Sequence, residues 1–291
     1  MSLSPAPQRP VSQDEIDTFW RDGVVCLRQI ISFEWIERMA QAVDEWLGSP
    51  ECLDYTTFGT DVAEAAGAAV MVDVGVRRGH FYSGLDHWMK LPAFRQLATA
   101  SPLVEICAHL LRSDKLNLYE DSILVKEPGT LEKTAFHQDI SYFHAEGHQI
   151  CTSWLPLDPV TIESGALQFV RGSHLWKAKY RPNFFVTDLM MPDTEGDMVP
   201  DFHKDTRRQE ILNFVTEPGD LTVHHARTIH GADGNASAST RRRAISVRYC
   251  GDDARYRMRK GVPQKPHHAA MDEGQILDHP ACPVVWPQNI A

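Results

Sequence analysis

The sequence holds three segments able to do chemistry together. The first is His137-Gln138-Asp139. On an extended strand, residues two apart point to the same face, so the imidazole and the carboxylate can converge on one ion. The second is His230, in Thr228-Ile229-His230-Gly231, after the turn and strand Pro218 to His225. Two histidines and one carboxylate suit a facial Fe(II) site that leaves positions open for a co-substrate and O2. An isolated His-x-Asp is more often a pair of surface residues. The third segment changes that balance: Arg241-Arg242-Arg243 runs directly into Ala244-Ile245-Ser246-Val247. Alternate arginines of a strand point inward, at least one faces solvent, and an inward guanidinium beside iron can clamp a carboxylate. Without an anion, a core arginine is costly.

These segments need rigid elements to hold them. Ser12-x-x-Glu15 predicts a capping box and a helix through about Arg21, followed by a strand at Val24 to Leu27. Ser32 opens a second helix to Leu47, whose Trp35, Ile36, Met39, Ala42, Val43, Trp46 and Leu47 recur at the helical period. Ser101-Pro102 opens a third. Residues 51–80 carry weak periodicity and receive no assignment. From Leu116 onward the pattern turns to short β-type runs: Leu116 to Lys126, Ile150 to Leu157, Ala166 to Val170, Ile211 to Val215, Leu221 to His225 and Ala244 to Cys250. Gly, Pro and Asp separate them. That pattern predicts a mainly β sandwich or barrel with the N-terminal helices packed outside. With no repeat or linker, residues 1–291 read as one domain. Residues 1–11 read as a loose tail. The aperiodic stretch 182–210 reads as a lid or a disordered insert.

Composition narrows the partners. The 291 residues carry a net charge of −10, which disfavours nucleic acid and anionic membrane surfaces. The best apolar run, Ala65 to Val76, is interrupted by Asp73 and is too short to span a bilayer. The first ten residues lack the apolar stretch of a secretion signal. The six cysteines form no C-x-x-C pair and fit small buried residues in a reducing cytoplasm. A small-molecule substrate is the expected partner; monomer and homodimer both stay open.

Over about residues 12–255 the sequence resembles the phytanoyl-CoA dioxygenase family of Fe(II)- and 2-oxoglutarate-dependent oxygenases. The resemblance rests on Leu124 to Gly129, Phe136-His137-Gln138-Asp139, Trp154 to Asp158, Ser164 to Leu167 and Gly172-Ser173-His174. It continues with Gly219-Asp220, His230-Gly231, Asn235 and Arg242-Arg243-Ala244. It implies a double-stranded β-helix, a cupin-like jelly roll with the metal between two sheets. It implies Fe(II), 2-oxoglutarate and O2 as cofactor and co-substrates, with succinate and CO2 released as a substrate carbon is oxidised. His137, Asp139 and His230 match the iron ligands. Arg242 matches the 2-oxoglutarate arginine, with Arg241 as runner-up. Trp154, Thr134 and Lys126 match positions that line or contact the co-substrate. Two positions depart from the family pattern: Arg171 stands where a proline precedes Gly-Ser-His, and Ala244 stands where many such oxygenases place a serine. Related halogenases lack the carboxylate ligand; Asp139 is present, so hydroxylation or a related oxidation is expected.

The remaining histidines read differently. His224 and His225 are neighbours, so at most one points inward, and both are expected to be structural or to support a ligand. His174 reads as a turn or packing residue, while His144 and His148 are possible substrate contacts. Phe184, Phe185, Met190 and Met191 favour a lid against an apolar part of the substrate, and the net charge with Asp188, Asp193, Glu195 and Asp197 favours a free small organic molecule, such as an acid or a secondary metabolite, over a coenzyme A thioester. Lys204, Arg207 and Arg208 are the residues that could still grip phosphates. Two other classes share this constellation: a cupin-like Zn or Mn isomerase or hydrolase, and a non-catalytic binding protein.

Overall fold

The computed structural model describes residues 3–65, 67, 78–202 and 210–287. Asp73, Lys204, Arg207 and Arg208 lie outside the described residues. α1 (Gln13–Asp22) starts at the expected capping box: Ser12 Oγ accepts from the Glu15 N–H at 3.2 Å, and the Glu15 carboxylate accepts from the Ser12 N–H at 2.8 Å. Gly23 ends the helix at φ 81°, a left-handed conformation that favours glycine. A Cβ there would sit 2.4 Å from the His174 ring. β1 (Val24–Leu27) follows, then α2 (Phe33–Leu47), which buries Trp35, Ile36, Met39, Ala42, Val43 and Trp46. Each large apolar side chain so buried contributes about 1.5–3 kcal/mol.

Residues 3–11 are not loose. The Trp35 indole donates to the Ser4 carbonyl at 2.7 Å, the Gln8 N–H donates to the Ile30 carbonyl at 2.9 Å, and Arg9 pairs with Glu15. A polar, proline-rich composition signals the lack of a core, and here the tail borrows the core of α2. β2 (Leu53–Asp54) and α3 (Phe58–Ala65) fall in the stretch 51–80 without sequence periodicity, and β3 (Phe81–Leu85) follows it. α4 (Pro92–Ala100) and α5 (Pro102–Leu111) are separated by Ser101 alone. Ser101 caps α5 by accepting from the Leu103 N–H. The sequence analysis anticipated α5 but not α4.

The β region holds β4 (Leu116–Lys126), β5 (Thr134–His137), β6 (Ala145–Glu146), β7 (Ile150–Pro156), β8 (Leu167–Val170) and β9 (Ile211–Asn213). β10 (Leu221–His225), β11 (His230–Ala232), β12 (Arg242–Cys250), β13 (Arg255–Tyr256) and β14 (Val284–Trp286) complete it. The major sheet runs β1-β10-β7-β12-β4-β3-β2, with β14 also on β4, and the minor sheet runs β5-β11-β8-β9. The strand pairings are antiparallel, and neither sheet closes into a barrel. This is the jelly roll. Its outer face packs on the helices through one large apolar cluster containing Trp35, Trp46, Phe94, Leu110, Val125 and Val247. Its inner face carries polar residues instead, and that inversion marks the site.

Candidate active site

Period-two alternation on the major sheet sorts the inward side chains. On β12 they are Arg242, Ala244, Ser246 and Arg248. The register sets Arg242 opposite Lys126 and Arg248 opposite Glu120 on β4, and opposite Thr152 on β7, which in turn faces His224 on β10. Two polar rows result, one at each end of the inner face: Arg242 with Lys126, and Arg248 with Glu120, Thr152 and His224.

His137 ends β5 and His230 begins β11, and the two are direct cross-strand partners with ring centroids 4.3 Å apart. Asp139 is not on the strand. The extended backbone continues only through Gln138 (φ −109°, ψ 131°), and Asp139 opens a short 3-10 turn. Its side chain still falls on the His137 side. Asp139 Oδ1 lies 3.4 Å from His137 Nε2 and 3.8 Å from His230 Nε2. Donor atoms of all three residues lie within 4.8 Å of one another, and all three residues are buried. Among the described residues this is the one such cluster.

Each imidazole is aimed by its other nitrogen. His137 Nδ1 sits 2.7 Å from the Ala135 carbonyl, and His230 Nδ1 sits 3.0 Å from the Thr228 carbonyl. Each Nδ1 must therefore carry the hydrogen, leaving Nε2 as a lone pair facing the centre. Burial, then His224 and His137, push the His230 pKa well down, so that ring is neutral. For Asp139, burial pushes the pKa up, but the His224 hydrogen bond and the nearby Arg248 guanidinium hold the carboxyl below the usual range. Its second oxygen accepts from the Thr152 hydroxyl and from His224 Nε2 at 3.2 Å. Two imidazoles and one carboxylate on one side of a centre are the donor set that suits Fe(II).

Arg242 is buried, as the inward alternation requires. Arg241 pairs with Glu127 and Asp44, and Arg243 pairs with Asp158 and Asp44, so both neighbours serve the outer face. Arg242 Nη1 donates to the Gly165 carbonyl at 2.9 Å, and its guanidinium lies 5.6 Å from the Trp154 ring. Burial alone pushes its pKa down to about 10, so it stays charged at neutral pH. Lys126 Nζ donates to the Asp233 carbonyl at 2.8 Å and lies over Phe81. Burial, then Arg242, pull its pKa well down. Arg242 Nε, Trp154 Nε1 and Thr222 Oγ1 are buried without hydrogen-bond partners. An unpaired buried donor costs about 1–3 kcal/mol, so one guanidinium and two further donors left this way fit a site built for an anion. Thr134 is buried at the start of β5, opposite Ala232.

A cavity of about 320 Å³ opens beside the triad and includes His137 and Asp139 in its wall. Phe184, Phe185 and Met191 line it from the 182–202 side. That segment is tied to β5: the Ala135 N–H donates to the Phe185 carbonyl at 2.7 Å, and Asn183 Nδ2 donates to the Phe136 carbonyl at 3.0 Å. The Phe185 ring lies 5.4 Å from His137. Met190, expected with these residues, is not part of the wall.

His144 and His148, possible substrate contacts by sequence, do not line this cavity. His144 Nε2 lies 3.1 Å from the Pro263 carbonyl, and its ring packs on His268 and Tyr256 behind the site. His225 Nε2 bonds the His148 carbonyl, on the face opposite His224. His174 packs as expected, beside His225. The sequence analysis missed Thr152, Tyr142, Glu120, Ser122 and Arg248. Even spacing from Trp154 or Arg242 would have found Thr152 and Arg248.

Residues 19–244 match the profile of the phytanoyl-CoA dioxygenase (PhyH) family. The chain belongs to that family. It is 27% identical over 162 residues to a probable alpha-ketoglutarate-dependent hypophosphite dioxygenase of Stutzerimonas stutzeri, covering 56% of this chain. The matched segment spans about half, 54%, of that relative's length. It is 25% identical over 252 residues to the multifunctional dioxygenase prhA of Penicillium brasilianum, covering 81% of this chain and 71% of that protein. Among solved structures, the non-heme alpha ketoglutarate dependent carbocyclase SnoK from nogalamycin biosynthesis aligns with a TM-score of 0.68 and 25% identity. That alignment covers 97% of this chain and all of SnoK. The triad has the donor set that fits Fe(II), and the buried Arg242 fits a carboxylate. Among the described residues, no helix is long and apolar enough to cross a membrane.

Proposed function

We propose that this protein is a dioxygenase that hydroxylates, or otherwise oxidises, a small free organic molecule, with residues 1–291 acting as one oxygenase domain in the cytoplasm. The triad beside a buried, half-satisfied arginine is the observation that carries the reading. His137, Asp139 and His230 would hold Fe(II). Arg242, with Lys126, Trp154 and Thr134 around it, would hold the distal carboxylate of 2-oxoglutarate. Bound Fe(II), with 2-oxoglutarate and O2, supplies the oxidising chemistry and releases succinate and CO2.

The chain's own residues orient and protect. Thr152 and His224 fix the free oxygen of Asp139, so its other oxygen faces the two imidazoles. Phe184, Phe185 and Met191 form a lid that keeps water from the cavity. The cavity equals about ten liquid waters in volume, which suits a small molecule and leaves the bulk of a coenzyme A thioester outside. The six cysteines are free, which supports a reducing compartment.

The test is anaerobic loading with Fe(II) and 2-oxoglutarate, then O2 and a panel of candidate substrates. Succinate formation with a mass gain of one oxygen supports hydroxylation. Because the solved neighbours include a carbocyclase and an epimerase, products are also scored for loss of two hydrogens and for unchanged mass. No 2-oxoglutarate-dependent O2 uptake with any substrate would favour a Zn or Mn isomerase or hydrolase.

A further inference from the structure

β12 carries a second inward arginine, six residues after Arg242 and so roughly 20 Å along the same face. Arg248 is buried and belongs to the wall of the cavity that contains His137 and Asp139. Among the residues of that wall it is the one cation, beside the carboxylates of Glu120 and Asp139; most of the rest is aromatic or aliphatic, including Tyr55, Phe58, Phe184 and Phe185.

The guanidinium is only partly used. Nη1 donates to Ser122 Oγ at 2.6 Å, while Nε is buried with no hydrogen-bond partner. The neighbouring carboxylate of Glu120 forms an ion pair with Nε at 3.7 Å, too long for a hydrogen bond. Glu120 also pairs with Lys265 Nζ at 2.8 Å, and the same ammonium holds Asp86 at 2.7 Å. Glu120 thus shares its charge with a lysine at the back of the wall. Arg248 keeps a donor with no acceptor, in a cavity otherwise suited to an apolar body.

We propose that Arg248 is the substrate-recognition residue of this enzyme, and that the substrate is a small organic acid. Its carboxylate is bound by Arg248, and its ring or alkyl body lies against Phe184 and Phe185. A guanidinium edge matches a carboxylate in geometry and charge. The carboxylate would be anchored in the Thr152–His224 row, whose side chains hold Asp139, so the apolar body lies alongside the triad. This proposal rests on the functional reading above.

The test is calorimetric titration under nitrogen of the Fe(II)- and 2-oxoglutarate-loaded protein. The probes are phenylacetate, cinnamate and cyclohexanecarboxylate, each beside its methyl ester. The expected result is that at least one acid binds about tenfold or more tightly than its ester. Arg248→Gln should erase that preference with 2-oxoglutarate binding intact, and Arg248→Lys should keep part of it. The proposal is overturned if no acid binds, if acids and esters bind alike, or if Arg248→Gln keeps the preference. Should Arg248→Gln not fold, the acid-to-ester ratio of the parent protein decides. A parent protein that binds neither iron nor 2-oxoglutarate overturns the functional reading itself, and that is seen before any acid is added.

Discussion

His137 and His230 stand directly opposite each other across the β5–β11 ladder, so one strand pairing sets the distance between two of the proposed metal ligands. The third ligand, Asp139, is set by a turn and by two partners from the other sheet, Thr152 and His224. The proposed metal site therefore bridges the two sheets.

His137→Ala, Asp139→Ala and His230→Ala should each abolish iron retention and turnover while leaving the far-UV spectrum unchanged. Two remaining ligands cannot hold Fe(II) tightly against water. His225→Ala, on the opposite face, should keep its iron. Iron analysis after desalting checks both; full activity with bound iron in any triad variant would refute the assignment.

Arg242→Ala should raise the 2-oxoglutarate dissociation constant at least about 30-fold, because losing one partner of a buried charge pair costs about 2–5 kcal/mol. Arg241→Ala and Arg243→Ala remove surface ion pairs with Asp44, Glu127 and Asp158 and should leave that constant unchanged. Equilibrium titration of the three variants separates the outcomes. A raised constant in Arg241→Ala alone would move the clamp to that residue.

Thr152→Val and His224→Ala leave all three ligands in place but free one oxygen of Asp139. Iron affinity should fall about 10–100-fold, and 2-oxoglutarate affinity of the iron-saturated protein should not change. Competition with a chelator measures the first quantity.

Replacing Phe184, Phe185 and Met191 together by alanine should open the cavity to water. The ratio of succinate formed to substrate oxidised should then rise above one, with iron binding intact. An unchanged ratio and unchanged substrate affinity would reduce the 182–202 segment to a packed crossover.

Two buried histidines set an acid limit on stability. Burial pushes His225 down to about 3 and His87 down to about 4, against an unfolded value near 6.5. Both are neutral when folded, so below about pH 6.5 the unfolded chain binds more protons than the folded one. Stability is full above that pH and is lost as pH falls toward those folded values. His87 makes no side-chain hydrogen bond and packs on Trp46 and Phe94. His87→Leu should therefore show a smaller loss of Tm than the parent between about pH 7 and pH 5.

Much of this was legible from residue order. Strands Val24–Leu27, Leu116–Lys126 and Leu221–His225 fall where apolar β-formers lie between turn residues. The triad was legible because His-x-Asp, a later histidine and an arginine ahead of a strand are each tied to local chain direction. α4, β2, β3 and the docking of residues 3–11 were not, because short or polar segments are stabilised by distant partners that no local period records. His144 and His148 were possible substrate contacts by their nearness in sequence to Asp139, and neither lines the cavity beside the triad.

By itself the sequence determined the alternation of each strand, and with it that Arg242 and Arg248 share a face and Arg241 does not. Only the tertiary structure decided what those faces meet. Register between strands set His137 against His230 and Arg242 against Lys126, and the gap between the sheets brought Thr152 and His224 to Asp139. Alternation is a property of one extended backbone, whereas register and sheet separation are sums over many contacts far apart in the chain.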